Sequence, residues 1–516
     1  MYIPSLKIII NKFILPTQSG DRLSKRFIKG GFWIFILRGC YQLFTITRLI
    51  ILARILAPND FGLMAIGLLS IKTLEAFSQI GFHQALIQNQ KEIKNYLDTA
   101  WSVSILRGII LCTVLYLSAA HIGSFLNAPE SRLIIQVMGF SILLYAFTNV
   151  GIIYFQKEME FYKQFLYEFS GTAVDFLVAV VAALLFKSVW ALVLGYMTGN
   201  VIKCIASYIL HPYRPVFKIE LGQIKELFHY GRWIFGSVIL IYIGGYCADI
   251  GVSRFLGATA LGFYRMAYQI SNAPATELSY VIGRVAFPTY AKLQGDEYKL
   301  QRAYFRVLGL TSVITIPVSV MIICLAPDFT KIFLGEKWLP IVPLLQLLAI
   351  ASLIKSIIST GTSLFTGSGH PQFEFYTQLT RGIVILSAIY PLTVYFMLPG
   401  AATAVILSIM SMFIIWYLLS KKVSEASWCK YANTFWPPLV GSGVMAASIY
   451  LLKFYLNPIQ SSWLSSILIF SGISILGILI YAFIMYVIHI YLHGIFIVDE
   501  AINIYKSMVR KKKSEV

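Results

Sequence analysis

The chain has 516 residues, 58% of them hydrophobic and 13% charged, with a formal net charge of +19 and a mean hydropathy of +0.74. This composition excludes a water-soluble globular protein. The basic residues lie between apolar runs, not on one soluble face, so the membrane accounts for the charge better than a nucleic-acid partner does.

Apolar runs of roughly twenty residues, enough to cross a hydrocarbon core of about 30 Å, recur from Trp33 to Leu492. Backbone polar groups inside a bilayer must be satisfied within the segment, so the expected fold class is an all-α polytopic membrane protein. The first element, residues 1–30, is a basic segment. Lys7 and Lys12 flank a short apolar patch with no small-residue cleavage site, so a removed signal peptide is not expected.

Punctuation by Pro, Gly and charge then marks about fourteen spans. They run over 33–56, 62–84, 99–120, 132–155, 164–186, 189–210, 231–255, 262–287, 304–326, 341–364, 374–396, 399–420, 434–455 and 467–491. Residues 31–211 are read as an N-terminal lobe, 212–230 as a cytoplasmic linker and 231–421 as a C-terminal lobe. Two extra helices follow in 434–491, and 492–516 form a basic tail. On this tally about 24 Lys and Arg fall on the side of the N-terminus and about three on the other, which places both termini in the cytoplasm. The outer loop around "DFTKIFLGEKW" is the exception to that bias.

A spacing recurs between the two expected halves. Arg54, Leu56 and Gly62 reappear as Arg254, Leu256 and Gly262, an R-x-L-x5-G element repeated after six spans. An even number of spans gives both copies the same direction, as in two parallel lobes with a substrate path between them. The alternative to a repeat is a common tight outer turn that recurs by chance, which is the less favoured reading.

An ionisable side chain inside a span is expensive unless it faces a cavity or a partner. In the first span Arg38, Gln42, Thr45 and Arg48 share one helix face; in the second Lys72, Glu75 and Gln79 do so, with Lys72 and Glu75 in pairing range. Arg107, Asp175 and Lys203 follow in spans three, five and six. Span seven aligns Tyr242, Tyr246, Asp249 and Ser253. Span eight aligns Arg265, Gln269, Asn272 and Thr276 on one face and Glu277 and Arg284 on another, and Lys355 and Arg381 come later. Arg54, Arg254 and Arg284 sit near span ends, where a long side chain snorkels to the interface, and Arg38 and Arg381 fit either reading. Inside the spans cations outnumber anions by about two to one, so a cavity they line is electropositive and suits an anion such as phosphate. Arg48, Lys72, Arg107, Lys203 and Lys355 are the candidate cationic site.

Six cysteines and seven histidines are scattered, with no C-x-x-C or H-E-x-x-H spacing, so neither a disulfide framework nor a metal or other cofactor is expected.

The stretches "RLIILARILAPNDFGLMAIG", "IGFHQALIQ", "VSRFLGATALGFYRMAYQISNAP", "VAFPTYAKLQGD" and "FLGEKWLPIVPLLQLLAI" resemble, in this order, the polysaccharide-transporter branch of the multidrug, oligosaccharidyl-lipid and polysaccharide flippase superfamily. The likeness covers roughly residues 30 to 420. It implies two six-helix lobes plus two C-terminal helices in a bacterial inner membrane. It also implies movement of undecaprenyl-pyrophosphate-linked oligosaccharide to the outer leaflet by alternating access. The lipid-linked oligosaccharide and membrane lipids are then the partners, other polysaccharide-assembly membrane proteins are candidate partners, and the chain is expected to act as a monomer. The family further implies coupling to H+ or Na+. Glu75, Asp175, Asp249 and Glu277 are the candidate carboxylates by span position, and Tyr242 and Tyr246 are candidates for facing the sugar. A multidrug exporter of cationic compounds fits less well, because it wants acidic cavity residues. A membrane polymerase or glycosyltransferase wants a catalytic constellation in a sizeable loop, and no outer loop exceeds roughly fifteen residues.

Overall fold

The computed structural model of the protein describes residues 41–78, 94–158, 160–456 and 462–491. Arg38, Gln79, the segment 1–30 and the tail 492–516 lie outside these residues, as does the side chain of Arg284. Among the described residues all regular structure is helical. In chain order the helices are α1 (41–55), α2 (Pro58–Ser78), α3 (Lys94–Phe125), α4 (Arg132–Phe147), the short α5 (Ile153–Lys157), α6 (Phe161–Phe186) and α7 (Trp190–Leu210). They continue with α8 (Leu221–Lys292), α9 (Glu297–Phe329), α10 (Val342–Gly367), α11 (Pro371–Ser424), α12 (Trp428–Leu456) and α13 (Trp463–Tyr491). Among the described residues eleven helices are long and apolar enough to cross a membrane.

Local chemistry sets the ends. Pro58 opens α2, where a missing N–H costs nothing, and the Asp60 carboxylate accepts from the Ala57 N–H at 2.9 Å. Asp296 caps α9 by accepting from the Lys299 N–H at 3.0 Å. Helix α8 has 72 residues and α11 has 54, each far more than the roughly twenty that one crossing needs. Each is broken inside. Gly257 takes φ 82° in α8, and Met397 takes φ 56° in α11 two residues before Pro399. These breaks fall where the sequence separates spans ending at 255 and 396 from their successors. Glycine adopts such a φ freely, whereas methionine pays a steric cost of roughly 1–2 kcal/mol.

Side chains such as Leu117, Leu185, Leu464 and Phe483 are exposed by 72%, 71%, 64% and 66%. Exposure of large apolar groups on so many helices fits a surface wetted by hydrocarbon, not by water.

The chain divides into two compact units between Ile239 and Leu240, a point within α8. In the first unit α6 and α7 pack closely through small residues. A Cβ on Gly199 would lie 2.9 Å from the Gly171 carbonyl oxygen and from the Asp175 Cβ, so only glycine allows this approach. Gly199→Leu is expected to force the two helices apart at a cost of about 1–3 kcal/mol. The measurement is the melting temperature in detergent, with Gly222→Leu as control, since nothing lies within 4 Å of a Cβ there.

In the second unit Trp338, Trp416, Tyr290, Tyr304 and Tyr431 are fully buried. Helices α12 and α13 attach to α9 through a core of Cys324, Leu325, Met445, Ile449, Ile473, Tyr481 and Met485. Polar contacts fix that attachment. Lys453 meets Asp328 at 2.5 Å and donates to the Cys324 carbonyl at 3.1 Å. The Tyr481 hydroxyl donates to the Val313 carbonyl at 2.8 Å, and the Trp463 indole donates to that of Ile332 at 3.1 Å.

Candidate functional site

The first unit holds two charge clusters. In one, the Arg48 guanidinium on α1 meets the Asp175 carboxylate on α6 at 2.9 Å, with both side chains about three-quarters buried. Lys203 on α7 acts electrostatically on the same carboxylate. The glycines of the α6/α7 contact let Asp175 and Lys203 occupy the seam, since Gly199 abuts the first and Gly171 the stem of the second. Two cations thus share one anion. In the other cluster, Lys72 pairs with Glu75 one helical turn along α2 at 2.7 Å. Arg107 on α3 reaches across to donate to the Ser78 hydroxyl at 2.9 Å from Nη2 and 3.2 Å from Nε. It lies in the field of Glu75 and Tyr145. Again two cations face one carboxylate.

The second unit repeats the imbalance with different residues. Asp249, in the first half of α8, is 3% exposed at its side chain and meets Arg265, in the second half, at 2.5 Å. The same guanidinium lies over the Tyr246 ring at 5.1 Å, and Tyr246 stacks on Tyr242 with ring centres 5.1 Å apart. Tyr242 itself is buried. Arg381 on α11 is 7% exposed and donates through Nη2 to the Gly244 carbonyl of α8. Its Nε has no hydrogen-bond partner among the described residues. A Cβ on Gly244 would stand 3.2 Å from three guanidinium atoms, so the glycine makes room for the cation. Lys355 on α10 donates to the Asn272 side-chain carbonyl at 3.3 Å, and Asn272 bonds Thr276 at 2.9 Å. Glu277 is half-buried at the end of the apolar stretch Val238–Glu277.

The sequence-derived residues therefore fall into groups. Arg48, Asp175 and Lys203 come together, as do Lys72, Glu75 and Arg107, and as do Tyr242, Tyr246 and Asp249. Lys355 stands with Asn272 in the second unit. Arg265, read from the sequence as part of a polar face of span eight, and Arg381, read as either snorkelling or buried, are the further cations of the second unit. Buried ionisable residues at 328 and 453 were the signal for the α9–α12 ion pair, which the sequence reading passed over. Among the described residues no group of three or more His, Cys, Asp or Glu could hold a metal ion.

The model of a family described as "polysaccharide biosynthesis protein" matches residues 51–343, more than half of the chain. The chain belongs to this family. Among its relatives is the lipopolysaccharide biosynthesis protein WzxC of Escherichia coli (strain K12), 25% identical over 81% of this chain and 85% of that protein. Another is the succinoglycan biosynthesis transport protein ExoT of Rhizobium meliloti (strain 1021), 25% identical over 66% of this chain and 69% of that protein. Among solved structures the lipid II flippase MurJ, in an inward closed conformation, aligns with a TM-score of 0.70 over 90% of this chain and all of its own, at 15% identity. At that identity the likeness is one of fold. The family member is thus a multi-pass membrane protein with a MurJ-like helical fold, and its matched region contains both charge clusters of the first unit except Arg48, together with the Asp249–Arg265 pair.

Proposed function

We propose that this protein is a flippase, not an enzyme, and that it moves undecaprenyl-pyrophosphate-linked oligosaccharide from the cytoplasmic to the outer leaflet of a bacterial inner membrane by ion-coupled alternating access. The observation that carries the reading is the charge imbalance of the membrane helices. Arg48 and Lys203 share Asp175, Lys72 and Arg107 share Glu75, and Arg265 takes Asp249, while Arg381 donates to the Gly244 carbonyl and lies in the field of Glu374. Buried cations in excess call for an anionic ligand, and a pyrophosphate offers oxygens matched to guanidinium forks and ammonium point charges. The names of WzxC, ExoT and MurJ support the same substrate class.

The carboxylates supply the coupling in this reading. While Asp175 and Asp249 are ionised they satisfy Arg48 and Arg265; taking up a proton or a sodium ion weakens that hold and frees each guanidinium for the headgroup. Glu75 has the same relation to Lys72 and Arg107. Tyr242 and Tyr246 present a stacked aromatic surface of the kind sugars lie against. The basic loops keep both termini in the cytoplasm. The protein acts as a monomer within this scheme.

Lys72→Glu and Arg107→Glu are each expected to abolish transport while membrane insertion persists. The test is complementation of a flippase-deleted bacterium, scoring surface polysaccharide and accumulated lipid-linked intermediate together. Full activity in both reversals would remove this cluster from the binding site.

A further inference from the structure

The ten residues that follow α7, "HPYRPVFKIE" at 211–220, have no regular secondary structure, yet several of their backbone groups are held by side chains of other elements. Pro212 and Pro215 remove two backbone donors outright. The Tyr213 N–H donates to His211 Nδ1 at 3.2 Å, and the Tyr213 carbonyl accepts from the Asn149 side chain at 2.6 Å. Further along, the Val216 N–H donates to Asp98 Oδ1 and the Lys218 N–H to Ser102 Oγ, both at 2.8 Å. The Tyr213 hydroxyl also donates to Asp98 Oδ1, at 2.6 Å.

The register explains the fit. Asp98 and Ser102 are four residues apart on α3, about 6 Å along its axis. Val216 and Lys218 are two residues apart in extended chain, about 6.6 Å. The two spacings nearly match, so one edge of the segment is laced along α3 while Tyr213 packs against the cluster of Leu97, Ala100 and Ile153.

The cations of the segment are exposed but make local contacts. Arg214 donates back to the His211 and Tyr213 carbonyls at 2.8 and 2.9 Å, and Lys218 pairs with Glu220 at 2.5 Å. Beside these charges three apolar side chains also face outward: Val216, Phe217 and Ile219 are exposed by 64%, 62% and 45%. They continue the exposed apolar flank of α7, which ends with Ile205 and Ile209. A segment tied to α3 that presents apolar side chains beside exposed cations suits the boundary of a bilayer, where apolar groups sink toward the acyl chains and basic ones stay among the headgroups.

We propose that residues 211–220 form an in-plane membrane anchor, with Val216, Phe217 and Ile219 seated at the boundary between lipid headgroups and acyl chains and Asp98 holding the segment at that depth. The occupant of this surface is the bilayer itself. The anchor is independent of what the protein transports.

The test uses full-length protein in phosphatidylcholine vesicles, with Cys40 and Cys429 replaced by serine and a nitroxide on Phe217→Cys. The ratio of collisions with oxygen to collisions with a water-soluble nickel chelate is compared with that of a label on Tyr298→Cys, a residue 72% exposed in the first turn of α9, ahead of the expected span. A ratio several-fold higher at 217 is expected. Asp98→Ala should bring it down to the value at 298, and Asp98→Asn, which still accepts a hydrogen bond, should preserve it. Equal ratios at 217 and 298 would overturn the anchor. So would a label at 217 shielded from both collision partners, because that means a protein surface covers it.

Discussion

Arg265→Met is expected to eliminate transport and to lower the yield of folded protein sharply. The substitution leaves the Asp249 carboxylate, 3% exposed, without its cation. Removing one partner of a buried pair costs about 3–5 kcal/mol, because the other charge stays desolvated and unpaired. The double variant Asp249→Leu/Arg265→Met removes both charges. It should recover most of the folded yield, since a buried ion pair replaced by apolar groups is often neutral in stability. It should not recover transport if the pair acts on substrate or ion. Thermal unfolding in detergent reads the first effect and restoration of surface polysaccharide the second. A double variant that transports at the parental level would reduce the pair to scaffolding.

The opposite outcome is expected at Lys453. Lys453→Met strands Asp328, 5% exposed, and also strips the Cys324 carbonyl of its donor, so a loss of about 3–5 kcal/mol is expected there too. Here the double variant Asp328→Leu/Lys453→Met should regain both stability and transport, because this pair fastens α12 to α9 and faces the core of Met445, Ile449 and Tyr481. The two buried pairs are thus separable by one experimental design. Loss of transport in a stable Lys453 double variant would bring α12 into the transport machinery.

Much of the helical plan was legible because hydrophobic length is a direct demand of the bilayer. The breaks at Gly257 and Met397 fall where span length required a reversal, although the sequence did not announce Met397 as the residue to take a positive φ. Pairings within one helix were readable for the same reason: Lys72 and Glu75 are three residues apart, and helical geometry brings them together. Partners on different helices were not. Arg48 and Asp175 are separated by 127 positions, and only the packing of α1 against α6 decides that they meet. Arg381 was ambiguous between a snorkelling side chain and a buried one. Its depth depends on a glycine at 244 on another helix, a feature that no periodicity within α11 carries. The segment 211–220 read as a plain linker because much of its order comes from side chains of α3 and from Asn149, which lie far away in the sequence.

The separation of these pairs along the chain also sets a timetable for synthesis. Asp249 and Arg265 lie sixteen positions apart on the two arms of α8, so they can neutralise each other as soon as that hairpin enters the membrane. Among the described residues the carboxylate that Arg48 meets is far more distant in the chain. Arg48 emerges 127 residues before Asp175, which at about 5–20 residues per second leaves a cationic first helix waiting for several seconds or more. During that interval the ribosome has delivered a helix whose charge only a later one can satisfy, and the insertion machinery, not the protein, must shelter it.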